Sequence, residues 1–332
     1  MAERNKEIDI LRGIGIFLVL FNHIGWGVYF HTYIQAFHMP LFFILSGYLT
    51  KNRSFKDTAV RRAKSLLFPY IIFSCIYLPV ALFTSLPDEK LSLLSSIKAI
   101  SLFPTDNLHL PIASALWFLP CMFIASVVYN ALGRFSLKTK TVIVLIISAA
   151  GAVYSGLSDY MLPLTLEPAA AALLFMLAGE WIKEKNINGL VSSKRYLTAG
   201  LFLTEAALAF LNKSVDMRSA RFHIVPLFFL SGIMGTLAYW GISAYIAKFR
   251  TRPGGIIRDE LATIGRYSIA ILCTHQLFIQ IMKKCFADFL DRGFVYEAAF
   301  KALILVVTLI ICRLIVEACK RYKPVRFIFG LC

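Results

Sequence analysis

The sequence predicts an all-α, polytopic integral membrane protein with about ten transmembrane helices and both termini in the cytoplasm. Two observations lead to this fold class. First, 58% of the 332 residues are hydrophobic, whereas soluble domains usually contain about 45–50% apolar residues. Second, apolar runs close to the ~20 residues that cross a bilayer recur along the whole chain. We therefore expect a single membrane-embedded domain over residues 1–332.

The predicted spans are apolar runs separated by short polar segments. The second span is short and contains Pro40 near its start. Proline suits a first helical turn, because the N–H that it lacks would be unpaired there. Glu205 lies inside the seventh span. The ten spans are residues 10–30, 37–50, 66–86, 112–132, 141–158, 163–182, 196–212, 223–247, 262–282 and 297–319.

The net charge of +16 is explained by topology. With the N-terminus inside, Lys and Arg residues are about threefold more frequent in the inner segments than in the outer ones. Nucleic acid is therefore not expected as a partner, whereas the lipid bilayer is. The longest outer loop, about residues 87–111, is a place where a substrate can be met.

The seven cysteines form no Cys-x-x-Cys pair, and most lie in apolar segments. We interpret them as small apolar residues and expect no metal site and no disulfide framework. The sequence also contains no Gly-rich phosphate loop, no Gly-x-Ser-x-Gly elbow and no His-Glu-x-x-His metal motif.

Ionisable groups lie inside the first span, where hydrocarbon cannot solvate them. Such residues usually face a polar cavity and serve a function. Arg12 and His23 are eleven residues apart, which places them on one helix face about 16 Å apart along the axis. Asp9 precedes Arg12 by three residues and is expected to pair with it. The alternative is that Arg12 anchors the helix end and a neighbouring helix satisfies His23.

Two histidines are expected to approach each other near the outer face of the membrane. His38 begins the second span, and only a short turn separates that span from the one that holds His23. Histidine titrates near neutrality and can take a proton from an alcohol. We interpret His23 and His38 as candidate catalytic residues. For His38 the alternative has equal weight: it is a residue at a helix start whose hydrogen bonds are satisfied within the protein.

The segment 51–70 is strongly basic and lies on the same side as Arg12. Basic residues in this position commonly attract anionic lipid, at about 1 kcal/mol per charge. Arg62 and Lys64 abut the apolar run and can point into the bundle instead. With Arg12 they are candidates for binding the phosphates of a donor or cofactor, because Arg supplies a planar fork of donors.

Two further residues are candidates for substrate binding. Trp117 enters the fourth span from the outside. Tryptophan in this position is most often an interfacial residue, but its ring can also stack on the apolar face of a sugar. His275 lies in the ninth span and is as readily structural as substrate-binding. Glu167, Glu180 and Glu205 lie at or within span ends, where each can orient a histidine.

Taken in order, these segments resemble the membrane acyltransferase-3 family, the integral-membrane O-acyltransferases that modify bacterial surface glycans. The segment that begins at His38 is most similar to the branch with fucose 4-O-acetylase-like proteins. The matching segments span most of the chain: Asp9-Ile-Leu-Arg12-Gly13 with His23, residues 38–48, residues 61–64 before Phe68-Pro69-Tyr70, residues 116–119 and residues 268–275.

The resemblance implies transfer of an acyl group, usually acetyl, from cytoplasmic acyl-CoA to a hydroxyl of a cell-surface glycan or its lipid-linked precursor. Acetyl-CoA is then a donor substrate and not a bound cofactor, and the location is a bacterial-type inner membrane. The family's key histidine falls on His23, its first-span arginine on Arg12, and its basic pair on Arg62 and Lys64. The chain departs from the family at Lys64, where arginine is expected.

Two alternatives remain at this point. Intramembrane charge and histidine also suit a proton-coupled transporter or exporter of a glycan or an acylated intermediate, although no pair of broken helices recurs in the two halves of the sequence. The other alternative is a structural subunit of a polysaccharide synthase complex. The acceptor glycan, the modified hydroxyl, the acyl group and the oligomeric state are left open.

Overall fold

The structure is a computed structural model that describes residues 5–51, 53–84, 93–102, 111–286 and 293–331. The outer loop predicted around residues 87–111 lies largely outside these ranges. The described residues are mainly α-helical. The α-helices are α1 Lys6–Ile24, α2 Val28–Gln35, α3 His38–Tyr48, α4 Phe55–Arg62, α5 Phe68–Thr84, α6 Leu93–Ser101, α7 Phe118–Ala131, α8 Leu137–Leu157, α9 Leu166–Glu184, α10 Ile187–Ser193, α11 Arg195–Asn212, α12 Val225–Ala247, α13 Arg252–Arg266, α14 Ser268–Cys285, α15 Phe294–Arg321 and α16 Lys323–Ile328.

Within the described residues, six helical segments are long and apolar enough to cross a membrane. They are Phe55–Leu82, Ala113–Arg134, Leu137–Leu157, Pro163–Glu184, Val225–Ala247 and Phe294–Arg321. The other four expected spans fall on helices that are shorter or more polar, such as α3 with 11 residues. The helical membrane fold is therefore confirmed, while the count of ten spans and the cytoplasmic termini stay predictions.

Two predicted span boundaries are wrong. The first span was expected to continue to residue 30, but α1 ends at Ile24 because Gly25 adopts a left-handed conformation with φ 83°. The apolar residues that follow belong to a separate helix, α2. A helix thus replaces the short turn expected before His38. The ninth span was expected from residue 262, but α13 ends at Arg266 and α14 begins at Ser268.

The described chain separates into two compact units. The first unit comprises Met1–Thr50, Phe175–Met217 and Phe222–Ile271. The second comprises Lys51–Leu174, Arg218–Arg221 and Leu272–Cys332. The candidate residues Arg12, His23 and His38 belong to the first unit, and Arg62, Lys64, Trp117 and His275 belong to the second.

Glycines allow two close helix crossings in the first unit. A Cβ on Gly13 would overlap the carbonyl oxygen of Leu261, and a Cβ on Gly265 would overlap the carbonyl oxygen of Asp9, so α1 and α13 touch through their backbones. Ile10, Ile14 and Ala262 extend this contact as a buried apolar cluster. Helices α3 and α9 approach equally closely at Gly47 and Gly179.

In the second unit, a π-helix at Ala63–Leu67 joins α4 to α5. The C-terminal segment packs against this region. Phe327 lies 4.9 Å from Phe68 between ring centroids, and Phe329 stacks on Phe73 at 5.0 Å. Gly330 approaches the backbone of Lys64 and Ser65, where a Cβ would meet the Lys64 carbonyl oxygen at 2.7 Å. The end of the chain therefore covers the wide helical turn that contains Lys64.

Candidate functional site

Helix α1 holds Arg12 and His23 on one continuous element. It begins at Lys6, where the Asn5 side chain accepts hydrogen bonds from the N–H groups of Glu7 and Ile8. The helix is unbroken as far as Ile24, so the expected rise of about 16 Å between Arg12 and His23 applies. Both side chains are partly buried. The prediction that the two residues share a helix is confirmed.

The Asp9 carboxylate contacts two arginines. It is almost completely buried, with 2% of the side chain exposed. One of its oxygens lies 3.8 Å from Nη1 of Arg12, as the spacing predicts. The other accepts a hydrogen bond of 3.1 Å from Nε of Arg266 at the end of α13. Sequence reasoning missed Arg266, because it lies 257 residues away from Asp9 and no local pattern indicates such a pair.

A second ion cluster joins the same two helices. Nζ of Lys6 lies 2.6 Å from the Asp259 carboxylate, and Nε of Arg258 donates to that carboxylate at 2.9 Å. The hydrogen bonds from Arg258 and then Lys6 hold the pKa of Asp259 well below its usual range. The side chains of Lys6 and Asp259 are 43% and 55% exposed, so the cluster adds a charged surface at this end of α1 and little stability.

His38 is buried at the first position of α3, with 4% of its surface exposed. Its Nδ1 lies 2.8 Å from the carbonyl oxygen of Ile34. Because a carbonyl oxygen can only accept, this bond requires a proton on Nδ1, which leaves Nε2 as the acceptor of the neutral ring. The geometry is consistent with a helix-start residue that is satisfied by the backbone and still carries one basic nitrogen.

A third histidine, His31, lies between the two candidate histidines in the sequence and was not among the candidates. Nδ1 of the exposed His31 in α2 lies 3.1 Å from the carboxamide oxygen of Asn22, the neighbour of His23. Asn22 is a polar residue within the first predicted span. The approach of His23 to His38 stays a prediction, whereas the contact between α1 and α2 at Asn22 is a finding.

Glu205 lies within the unbroken helix α11. It is fully buried in α11, where the hydroxyl of Ser231 donates to its carboxyl oxygen at 3.5 Å. The hydroxyls of Tyr33 and Tyr239 lie 3.4 Å apart beside it, and Tyr33 also interacts with Glu205. Glu167 has a different role, since it accepts a 2.7 Å hydrogen bond from the N–H of Leu162 before α9.

In the second unit, the basic candidates flank a change in helix type. Arg62 is the last residue of α4, and Lys64 lies in the π-helix that follows. A π-helix has a wider turn than an α-helix and often occurs at functional sites. It also changes the direction in which Arg62 and Lys64 point relative to a regular helix. No feature of the sequence indicated this turn.

Trp117 and His275 lie on two segments that one glutamine connects. Trp117 ends a 3₁₀-helix at Pro111–Trp117 and is 6% exposed, so it is buried within the protein. His275 is fully buried in α14. The side chain of its neighbour Gln276 accepts from the N–H of Ala115 at 2.7 Å and donates to the hydroxyl of Ser114. Gln276 was not recognised from the sequence.

A tyrosine hydroxyl contacts the helical turn that contains His275. The Tyr77 hydroxyl donates to the carbonyl of Cys273 at 3.1 Å and accepts from the N–H of Leu277 at 3.1 Å. In a regular α-helix these two backbone groups bond to each other. Insertion of a side chain into this ladder is a known cause of helix distortion. His275 lies in the middle of that turn.

Comparison with known proteins adds one family and one relative. A family model described as an acyltransferase domain matches residues 5–317. The nodulation protein NolL of Mesorhizobium japonicum is 27% identical over 155 residues, an alignment that covers 40% of this chain and 37% of that protein. The chain therefore matches well under half of the length of that curated relative. No solved structure matches the chain.

Proposed function

The chain belongs to the acyltransferase-3 family. We propose that it is a membrane O-acyltransferase that moves an acetyl group from cytoplasmic acetyl-CoA to a hydroxyl of a cell-surface glycan or its lipid-linked precursor. The main observation that supports this proposal is the family match over residues 5–317. We further propose that it works in the inner membrane of a bacterial-type cell.

His23 is the proposed general base. It takes the proton of the sugar hydroxyl, and the hydroxyl oxygen attacks the thioester carbonyl carbon. The carbon–sulfur bond then breaks, and the CoA thiolate takes the proton back from the imidazolium. The products are an O-acyl ester and free CoA. The partial burial of His23 near the end of α1 supports this role.

Arg12, Arg62 and Lys64 are the proposed donor-binding residues. Acyl-CoA carries several phosphate charges, and guanidinium groups bind phosphate through paired hydrogen bonds. Arg12 lies about 16 Å from His23 along α1, a distance that an extended pantetheine arm can bridge. The phosphates thus bind at one end of the helix while the thioester reaches the other.

The remaining candidates are assigned to the acceptor and to the orientation of groups. His38 assists His23 through its Nε2, since its Nδ1 bonds the Ile34 carbonyl. Trp117 and His275 contribute to acceptor binding. This assignment is supported by two contacts within one unit: Gln276 connects the segment of His275 to that of Trp117, and Tyr77 contacts the helical turn of His275.

The test is transfer of radiolabel from acetyl-CoA to an acceptor glycan, using membranes that contain equal amounts of wild type, His23→Asn or His223→Asn. His223 is an exposed histidine of the same unit with a positive φ, a conformation that asparagine tolerates, so it serves as the matched control. We expect His23→Asn to reduce transfer roughly 100-fold or more, as loss of a general base does, and His223→Asn to behave like wild type.

The other outcomes separate the alternatives. Equal transfer by wild type and His23→Asn would move the base to another residue, with His38 tested next by the same substitution. Absence of transfer by wild type, together with movement of a glycan across sealed vesicles that contain the protein, would favour the exporter.

A further inference from the structure

One carboxylate holds two arginines at the start of α1. Asp9 places one oxygen against Arg12 and the other against Arg266. The carboxylate is buried, whereas the side chains of Arg12 and Arg266 are 30% and 45% exposed. The three groups together carry one net positive charge, and both arginine side chains are partly accessible, so an anion that approaches them meets two cations at once.

The two arginines are held by backbone packing as well as by charge. Gly265 lies directly against the Asp9 carbonyl, and Gly13 lies directly against the Leu261 carbonyl. Arg266 follows Gly265 in sequence, so its Cα is fixed relative to α1. Its Nε makes the bond to Asp9, and the terminal nitrogens of the fork are the donors best suited to a second oxyanion.

We propose that Arg266 is a second phosphate-binding arginine of the acyl-donor site, positioned beside Arg12 by the Asp9 carboxylate that both share. This inference rests on the proposed function, because it assumes that Arg12 binds the donor. It adds a residue from α13 to a site that the motifs of the sequence assign to Arg12, Arg62 and Lys64. Asp9 is a positioning residue here, since it acts through the two arginines and not on the donor itself.

Binding of CoA to the purified protein in detergent tests the inference, since no acceptor is required. The variants are wild type, Arg266→Gln, Arg266→Lys and Arg252→Gln. Arg252 is an exposed arginine at the start of the same helix, so Arg252→Gln removes the same charge elsewhere on α13. The probes are CoA, dephospho-CoA and pantetheine, which has no phosphate.

We expect Arg266→Gln to weaken CoA binding by roughly 10- to 100-fold, the effect of losing a charge-assisted hydrogen bond. Binding of pantetheine to Arg266→Gln should not change, and Arg252→Gln should bind CoA like wild type. The CoA affinity of Arg266→Lys should lie between those of wild type and Arg266→Gln, because lysine keeps the charge but lacks the paired donors of the guanidinium group. If the loss is equally large with dephospho-CoA, Arg266 contacts the diphosphate. If the loss disappears with dephospho-CoA, Arg266 contacts the 3′-phosphate.

Three results would overturn the inference. Unchanged CoA binding by Arg266→Gln would exclude Arg266 from the site and leave the proposed function intact. An equal loss of CoA and pantetheine binding by both Arg266→Gln and Arg266→Lys would assign Arg266 a purely structural role. Failure of wild type to bind CoA or dephospho-CoA would reject acyl-CoA as the donor, and with it both proposals.

Discussion

Gly265 and Asp9 touch through their backbones, and any Cβ at Gly265 would overlap the Asp9 carbonyl oxygen. We therefore expect Gly265→Ala to separate α13 from α1 and to destabilise the protein by about 1–3 kcal/mol, as overpacking does. Thermal unfolding of the purified protein measures this. CoA binding should weaken in the same variant, because Arg266 moves away from Asp9.

Gly255 provides the control for that substitution. It lies in the same helix, but a Cβ there would meet its nearest neighbour, the end of the Arg258 side chain, at 3.9 Å. Alanine is a better helix former than glycine, so Gly255→Ala should be neutral or stabilise by up to about 1 kcal/mol. Equal destabilisation by both substitutions would contradict the backbone contact between α1 and α13.

Tyr77→Phe tests the contact between the Tyr77 hydroxyl and the turn around His275. Loss of the hydroxyl removes both bonds to α14, and the Cys273 carbonyl and Leu277 N–H are then left with only the pairing of a regular helix. We expect this change to move His275 and to raise the KM for the acceptor more than the KM for acetyl-CoA. Transfer assays at varied acceptor and donor concentrations measure the two constants.

Tyr70→Phe is the matched control. Tyr70 is also a buried tyrosine of α5, but its hydroxyl donates to the Ile100 carbonyl at 3.0 Å and not to α14. Both variants lose a buried hydroxyl and should lose comparable stability, about 1–3 kcal/mol at most. If Tyr70→Phe raised the acceptor KM as much as Tyr77→Phe, the assignment of the His275 turn to acceptor binding would fail.

The Asp259 cluster predicts a defined dependence on pH. Its carboxyl pKa is lowered by the hydrogen bonds from Arg258 and Lys6. A carboxyl with a lowered folded-state pKa stabilises the protein above its unfolded pKa of about 3.9, and this stability is lost as the pH falls through the folded-state value. We expect Asp259→Asn to lower the Tm slightly and by a constant amount between about pH 5 and 8, with the difference closing only at more acidic pH.

Salt provides a second measurement on the same variant. The side chains of Lys6 and Asp259 are well exposed, so added salt should screen their attraction and reduce the Tm difference at pH 7. A Tm difference that grew with salt, or that changed between about pH 5 and 8, would point to a different group, such as a histidine.

Local patterns predicted the parts of this protein that depend on neighbouring residues in sequence. Helical spacing placed Arg12 and His23 on one helix, and the three-residue spacing paired Asp9 with Arg12, both as observed. The end of α1 was missed although Gly25 was a breaker signal, because the apolar residues beyond it continue the hydropathy pattern.

Contacts between distant residues could not be predicted in this way. Arg266 meets Asp9 across 257 residues, Gln276 meets Ala115 across 161, and Tyr77 meets Cys273 across 196. A single sequence gives the type of each residue but not its tertiary partner. From the sequence, Arg266 is therefore only a basic residue of an inner segment, Gln276 an amide and Tyr77 an aromatic residue. The same reason explains why Glu205 was interpreted as an acid that can orient a histidine and not as the centre of a buried hydroxyl cluster.

The long separation between Asp9 and Arg266 also sets an order of assembly. A ribosome adds about 5–20 residues per second, so α1 emerges roughly 13–50 s before α13 is complete. During that time Arg266 does not yet exist to share the Asp9 carboxylate, and α1 lacks the backbone contact at Gly265. A nascent chain therefore acquires its paired arginines only after α13 has been synthesised, and the proposed donor site with Arg266 cannot be complete before that point.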